Sequence, residues 1–112
     1  VDISGNGGGF VFDCRILPNP GRLEEYKELT GMDGPVIEYL EKQNEVNDYL
    51  GNTWKIIKQA IINYNDRGFS NLMVNYGCTG GQHRSVYCAE RTKAYLEENF
   101  PVKVYLVHKE LT

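Results

Sequence analysis

In Leu72-Met73-Val74-Asn75-Tyr76-Gly77-Cys78-Thr79-Gly80-Gly81-Gln82-His83-Arg84-Ser85 an apolar run enters a glycine-rich turn and a helix-forming run leaves it. Leu72, Met73, Val74 and Tyr76 have the pattern of a short buried strand. Residues 85–99 contain neither Gly nor Pro and are rich in Ala, Glu, Lys, Arg and Leu, which predicts a helix. The expected unit is strand, glycine-rich loop, helix. Gly80 and Gly81 have no Cβ, so the backbone can curl there with its N–H groups inward. A helix starting near Arg84 adds unpaired N–H groups and the positive end of its dipole. Together these make an anion cradle.

Residue types narrow the anion to phosphate. Cys78 and Arg84 are separated by five residues and Ser85 follows, the Cys-x5-Arg-Ser/Thr spacing of Cys-dependent phosphatases. In that chemistry the loop N–H groups and the guanidinium hold phosphoryl oxygens, and the same positive field lowers the thiol pKa. Three readings stand side by side: a plain tight turn, phosphate binding without catalysis, and nucleophilic catalysis. The last would use Cys78 as nucleophile, Arg84 as clamp and Asp13 or Asp33 as general acid. Gly77 stands where phosphatases commonly carry a His before the nucleophile, which favours binding over catalysis. A Walker A loop fits less well, since position 82 is Gln rather than Gly and Arg84 holds the place of its Lys.

With 112 residues the chain can build one core and one domain. Hydrophobic content of 41% and charged content of 24% are those of a soluble globular chain, so the choice of function falls to the charge balance. A net charge of −3 and a pI near 5.3 argue against a broad, sequence-independent grip on nucleic acid. Cys14, Cys78 and Cys88 are odd in number and lack metal-ligand spacing, so neither a disulfide framework, a metal site nor a cofactor is expected. The expected location is a reducing cytoplasm. No apolar run approaches the ~18 residues of a membrane span, and no signal peptide is recognised. Val1 in place of an initiating Met points to one module of a longer protein.

Residues 1–8 read as a flexible glycine-rich linker, and the domain is expected over 9–112. Phe10 to Leu17 is a near-continuous apolar run, the pattern of a strand buried on both faces. Asp13 and Arg15 lie near its carboxyl end, where charged residues face the ligand crevice of an open α/β sheet; an internal ion pair or an edge position is the alternative. Pro18-Asn19-Pro20-Gly21 must extend or turn. The connection from Arg22 to Gly34 either covers a ligand or packs down through Leu23, Tyr26 and Leu29. Asp33 or Gly34 with Pro35 starts a short helix ending near Gln43, with Val36, Ile37 and Leu40 buried.

A longer helix follows, with Val46, Tyr49, Leu50, Thr53, Trp54, Ile57, Ala60, Ile61 and Tyr64 on one face. Gly51 sits inside it, and close approach of a neighbour is the expected reason. Trp54 and Tyr49 are read as core residues, with stacking on a sugar or base as the alternative. After the loop, Val86 to Ala89 should be buried and Cys88 an inert core thiol. Residues 102–108 read as a final strand, making a right-handed parallel βαβ unit with strand 72–76 and helix 85–99. The fold class is therefore α/β: a single domain with a small mixed or parallel sheet flanked by helices.

Four segments in order carry a family resemblance: Phe10-Val11-Phe12-Asp13-Cys14-Arg15, Leu17-Pro18-Asn19-Pro20, Leu29-Thr30-Gly31-Met32-Asp33-Gly34-Pro35-Val36, and Gly77 to Tyr87. Over about residues 9–110 the chain resembles the carboxy-terminal domain of the RapZ/YvcJ family. The resemblance implies a small α/β domain that binds a phosphorylated amino sugar, glucosamine-6-phosphate, within an RNase adapter that presents small RNAs for processing. It also implies an amino-terminal P-loop nucleotide-binding domain in the parent protein; this chain has no Gly-x4-Gly-Lys-Ser/Thr sequence, so that activity is not carried over.

Matching positions for the phosphate are Cys78, Thr79, Gly80, Gly81, His83, Arg84 and Ser85, with Gln82 inside the same loop. Asp13, Arg15 and Asn19 are matched to the rest of the ligand. The RNA-handling relatives are more basic and end in a Lys/Arg-rich tail, whereas this chain reads Lys109-Glu110-Leu111-Thr112. The expectation is a phosphosugar-binding sensor module rather than an enzyme, joined to another domain of its parent and not to a membrane. A Cys78 phosphatase and an RNA-binding adapter are the alternatives.

Overall fold

β1 (Gly9–Asp13) pairs in parallel with β2 (Met73–Gly77), in a register that sets Phe10 beside Val74, Phe12 beside Tyr76 and Asp13 beside Gly77. The computed structural model describes residues 9–66, 73–77, 83–101, 104 and 106. Between the strands run three short 3-10 turns (Cys14–Ile16, Pro20–Arg22 and Glu24–Tyr26), then α1 (Gly34–Glu41) and α2 (Asn44–Asp66). After β2 comes α3 (Arg84–Asn99). Among the described residues, three helices and a two-stranded parallel sheet make one small domain of the expected α/β class.

β1 is shorter and more exposed than the apolar run implied. Asp13 Oδ1 accepts the backbone N–H of Arg15 at 2.9 Å, and that local bond turns the chain into the Cys14–Ile16 turn instead of extending the strand. Phe12 packs into the core, while Val11, pointing the other way, is 80% exposed. Alternation along the strand thus buries one face and not two. Tyr26 and Leu29 pack against the core and hold down the connection from Arg22 to Gly34, whereas Leu23, expected to pack with them, is exposed.

α2 forms as its periodicity predicts: Val46, Leu50, Thr53, Ile57 and Ile61 are buried, and Tyr49, Trp54 and Ala60 are half-buried. Each large apolar residue on that stripe contributes about 1.5–3 kcal/mol by leaving water. The side chain of Tyr64 lies outside the described residues. Gly51 is a correction, because among the described residues a Cβ there would meet nothing within 4 Å, so none of them requires the glycine. Cys14, Leu17, Val36, Leu40, Val46, Leu50, Tyr87 and Cys88 form one core cluster; Ile57, Ile61 and Leu96 form a second, under Phe12 and Val74.

The partner that β2 finds is β1, reached across α1 and α2. The final strand expected over 102–108 lies mostly outside the described residues, and Val104 and Leu106 belong to no regular element. The linker expected over 1–8 and the closing turn's Arg67 and Gly68 are likewise outside them. Among the described residues, no helix is long and apolar enough to cross a membrane.

Candidate functional site

Parallel pairing brings the last residues of both strands, Asp13 and Gly77, to the same edge of the sheet. Arg84, the first residue of α3, comes to that edge from the other side: its Nη1 donates to the carbonyls of Arg15 and Leu17, each at 3.0 Å. The first turn of α3 is thereby tied to the turn that ends β1. Val86, Tyr87 and Cys88 are buried as expected, Ala89 is only half-buried, and the polar Arg84 and Ser85 are buried with them. Cys78, Thr79, Gly80, Gly81 and Gln82 lie outside the described residues.

Arg84 differs from the simple clamp that the spacing suggested. It is only 4% exposed, and part of its guanidinium holds backbone rather than facing an open cradle. Its Nε–H is buried and has no partner among the described residues. A guanidinium cannot shed its charge, so this is a desolvated cation with donor capacity in reserve.

Asp13 and Arg15 pair with each other at the surface. Arg15 Nε lies 3.0 Å from both carboxylate oxygens and Nη2 lies 2.7 Å from Oδ2. The Arg15 side chain first, and its backbone N–H second, hold the Asp13 carboxyl down at about 2, with Arg84 adding a smaller pull. Asp13 is therefore ionised at neutral pH and has no proton to give a leaving group. Asp33, the other carboxylate considered as a general acid, accepts from Thr30 N at 2.7 Å and makes no side-chain bond to the start of α1.

His83 and Asn19 are brought together by a close approach of two loops. Asn19 Oδ1 accepts the N–H of Gly21 at 2.9 Å, and a Cβ at Gly21 would stand 3.1 Å from that oxygen and from His83 Nδ1. His83 Nε2 lies 3.0 Å from the carbonyl of Tyr26, which only accepts, so this nitrogen carries the proton. In the neutral ring Nδ1 is then the acceptor, on the side of Gly21.

Sequence reasoning passed over two features that shape this edge. Gly31 abuts the first turn of α3, where a Cβ would collide with His83 O and stand 2.6 Å from Tyr87 N. Its place in Thr30-Gly31-Met32-Asp33 was the available signal. The other is the set of hydroxyls on buried Thr53 and Thr92 and half-buried Tyr76; a Thr on an apolar helical stripe was the hint. Trp54 is a core residue as read, with its indole stacked on Tyr95 at 4.3 Å and donating to Thr92.

The model of the RapZ C-terminal domain family matches residues 4–112. A nucleotide-binding protein of Staphylococcus epidermidis (strain ATCC 12228) is 43% identical over 100 residues, covering 89% of this chain and 33% of the relative. A nucleotide-binding protein of Pasteurella multocida (strain Pm70) is 42% identical over 102 residues, covering 91% of this chain and 35% of the relative. One from Staphylococcus haemolyticus is 41% identical over 100 residues, with 89% and 33% covered. The chain spans about a third of the length of the curated relatives it matches.

Proposed function

The chain belongs to the RapZ C-terminal domain family, and on that footing we propose that it is a phosphate-binding sensor module for a phosphorylated amino sugar. The observation that carries this is Arg84: a buried, permanently charged group at the first residue of a 16-residue helix, with an Nε–H that no described residue accepts. A desolvated cation beside the positive end of a helix dipole favours an anion and disfavours anything else. The nearby Asp13 carboxylate is engaged by Arg15, so it does not neutralise Arg84. Phosphate is the anion that the Cys78-x5-Arg84-Ser85 spacing suits.

Beyond the phosphate, Asp13 offers a half-exposed negative charge that suits a sugar ammonium, and Arg15 and Asn19 offer hydrogen bonds to hydroxyls. Binding without turnover is the better reading, because Asp13 is ionised and Asp33 is engaged with Thr30. The relatives' nucleotide-binding name applies to proteins about three times as long. We assign that activity to the remaining two thirds of such a parent, since this chain has no Gly-x4-Gly-Lys-Ser/Thr sequence.

Titration of the isotope-labelled chain with glucosamine-6-phosphate, glucosamine and inorganic phosphate tests the reading by NMR. Both phosphates should move amides 78–86 together, glucosamine alone should not, and Arg84→Ala should weaken binding by roughly 2–5 kcal/mol. Shifts confined to other residues, or an unchanged affinity in Arg84→Ala, would overturn it. Cys78→Ser should hold phosphosugar affinity within about tenfold, ~1.4 kcal/mol, and the wild type should release no phosphate from an aryl phosphate. Turnover abolished by Cys78→Ser with binding intact would make the domain a phosphatase instead.

A further inference from the structure

Four side chains inside the fold form one directed chain of hydrogen bonds. Trp54 Nε1–H donates to Thr92 Oγ1 at 2.9 Å, and Thr92 donates to the Tyr76 hydroxyl at 2.9 Å. Tyr76 stands 2.8 Å from Thr53 Oγ1, and Thr53 donates to the carbonyl of Leu50 at 3.0 Å. The single proton of Thr53 goes to that carbonyl, so Tyr76 must be the donor of the 2.8 Å bond. With Thr53 donating to Leu50, each hydroxyl donates once and accepts once along the relay.

The relay joins three elements at a particular place. Tyr76 is the penultimate residue of β2, Thr53 and Trp54 lie on α2, and Thr92 lies on α3 eight residues after Arg84. Apolar side chains of the same shapes would pack here without desolvating any hydroxyl, so net stability is a poor explanation for a polar chain. Apolar contacts also tolerate sliding by fractions of an ångström, whereas hydrogen bonds weaken steeply once distance and angle depart from their optimum. A part-buried relay of this kind therefore specifies spacing. We propose that Tyr76 is a positioning residue for the anion site: its hydroxyl, held between Thr53 and Thr92, sets the start of α3, and with it Arg84, against the carboxyl end of β2. The functional meaning rests on the phosphate-binding reading, while the positioning itself is measurable without ligand.

Three variants of the 112-residue chain test this. Thr92→Val keeps the side-chain shape and deletes the hydroxyl between Trp54 and Tyr76, Thr92→Ser keeps that hydroxyl, and Tyr76→Phe keeps the ring and deletes the central hydroxyl. In Thr92→Val the indole N–H resonance of the one tryptophan should move, the amides of residues 84–86 should move with it, and inorganic phosphate should bind about tenfold more weakly. Thr92→Ser should restore all three readouts, and Tyr76→Phe should repeat the losses at 84–86 and in affinity. The proposal is overturned if either hydroxyl-deleted variant folds and keeps wild-type amide positions at 84–86, or if Thr92→Ser fails to restore them. Should the wild type bind no phosphate, the sensor reading fails, and the amide comparison still decides the relay.

Discussion

Arg84 and Asp13 sit at the same edge, yet their charges are handled in opposite ways. Arg84 is buried against carbonyl oxygens, whereas Asp13 is at the surface in the grip of Arg15. The consequence for Asp13 can be read against pH. Its carboxyl lies at about 2 in the folded chain and near 3.8 when unpaired, so the unfolded chain takes up its proton first as pH falls. The stability that the pair contributes is thus complete above pH ~4 and disappears as pH falls through the folded value. Asp13→Asn should flatten this part of the acid-unfolding curve; an unchanged curve would separate the pair from stability. At the alkaline end the sign reverses. Burial raises Tyr49 and Tyr76 from 10 to about 12, so their contributions hold below 10 and are lost as pH rises through about 12.

Two glycines in helical surroundings predict opposite responses to the same substitution. Gly31 presses a turn against the first turn of α3, where a methyl would meet the backbone of His83 and Tyr87 and neither could yield without breaking the helix. Gly31→Ala should destabilise by about 1–3 kcal/mol through overpacking and should shift the amides at the start of α3. Gly51 lies in the first half of α2 with no described atom within 4 Å of a Cβ, so Gly51→Ala should stabilise by about 1 kcal/mol through helix propensity. Denaturant unfolding of both variants checks the pair, and a destabilised Gly51→Ala would mean that α2 meets a neighbour after all. The contrast shows what makes a glycine necessary: the neighbouring backbone and not the element that contains it.

On the scale of the whole chain, the charge balance bears on RNA. A net charge of −3 argues against a broad, sequence-independent grip on phosphates, so this domain alone should bind structured RNA weakly, with affinity falling steeply as salt is added. Tight binding that survives added salt would overturn this expectation. The relatives named nucleotide-binding proteins are about three times as long as this chain.

The α2 stripe and the apolar start of α3 were legible in the sequence, because each depends on residues a turn or less apart and on a fixed period. The Cys78-x5-Arg84-Ser85 spacing was legible for the same reason, being a matter of residue types within one short stretch, and the anion site it suggests is a proposal. The tertiary structure decided the rest. β1 stops at Asp13 because a carboxylate captures the Arg15 N–H in competition with the strand, and no hydrophobic count registers that bond. Arg84 turns out to hold the carbonyls of Arg15 and Leu17, 69 and 67 residues away in sequence. Gly31 is required and Gly51 is not, although both stand in ordinary glycine contexts. Each of these depends on groups far apart in sequence meeting at ångström distances, and no local period of the chain records which groups will meet.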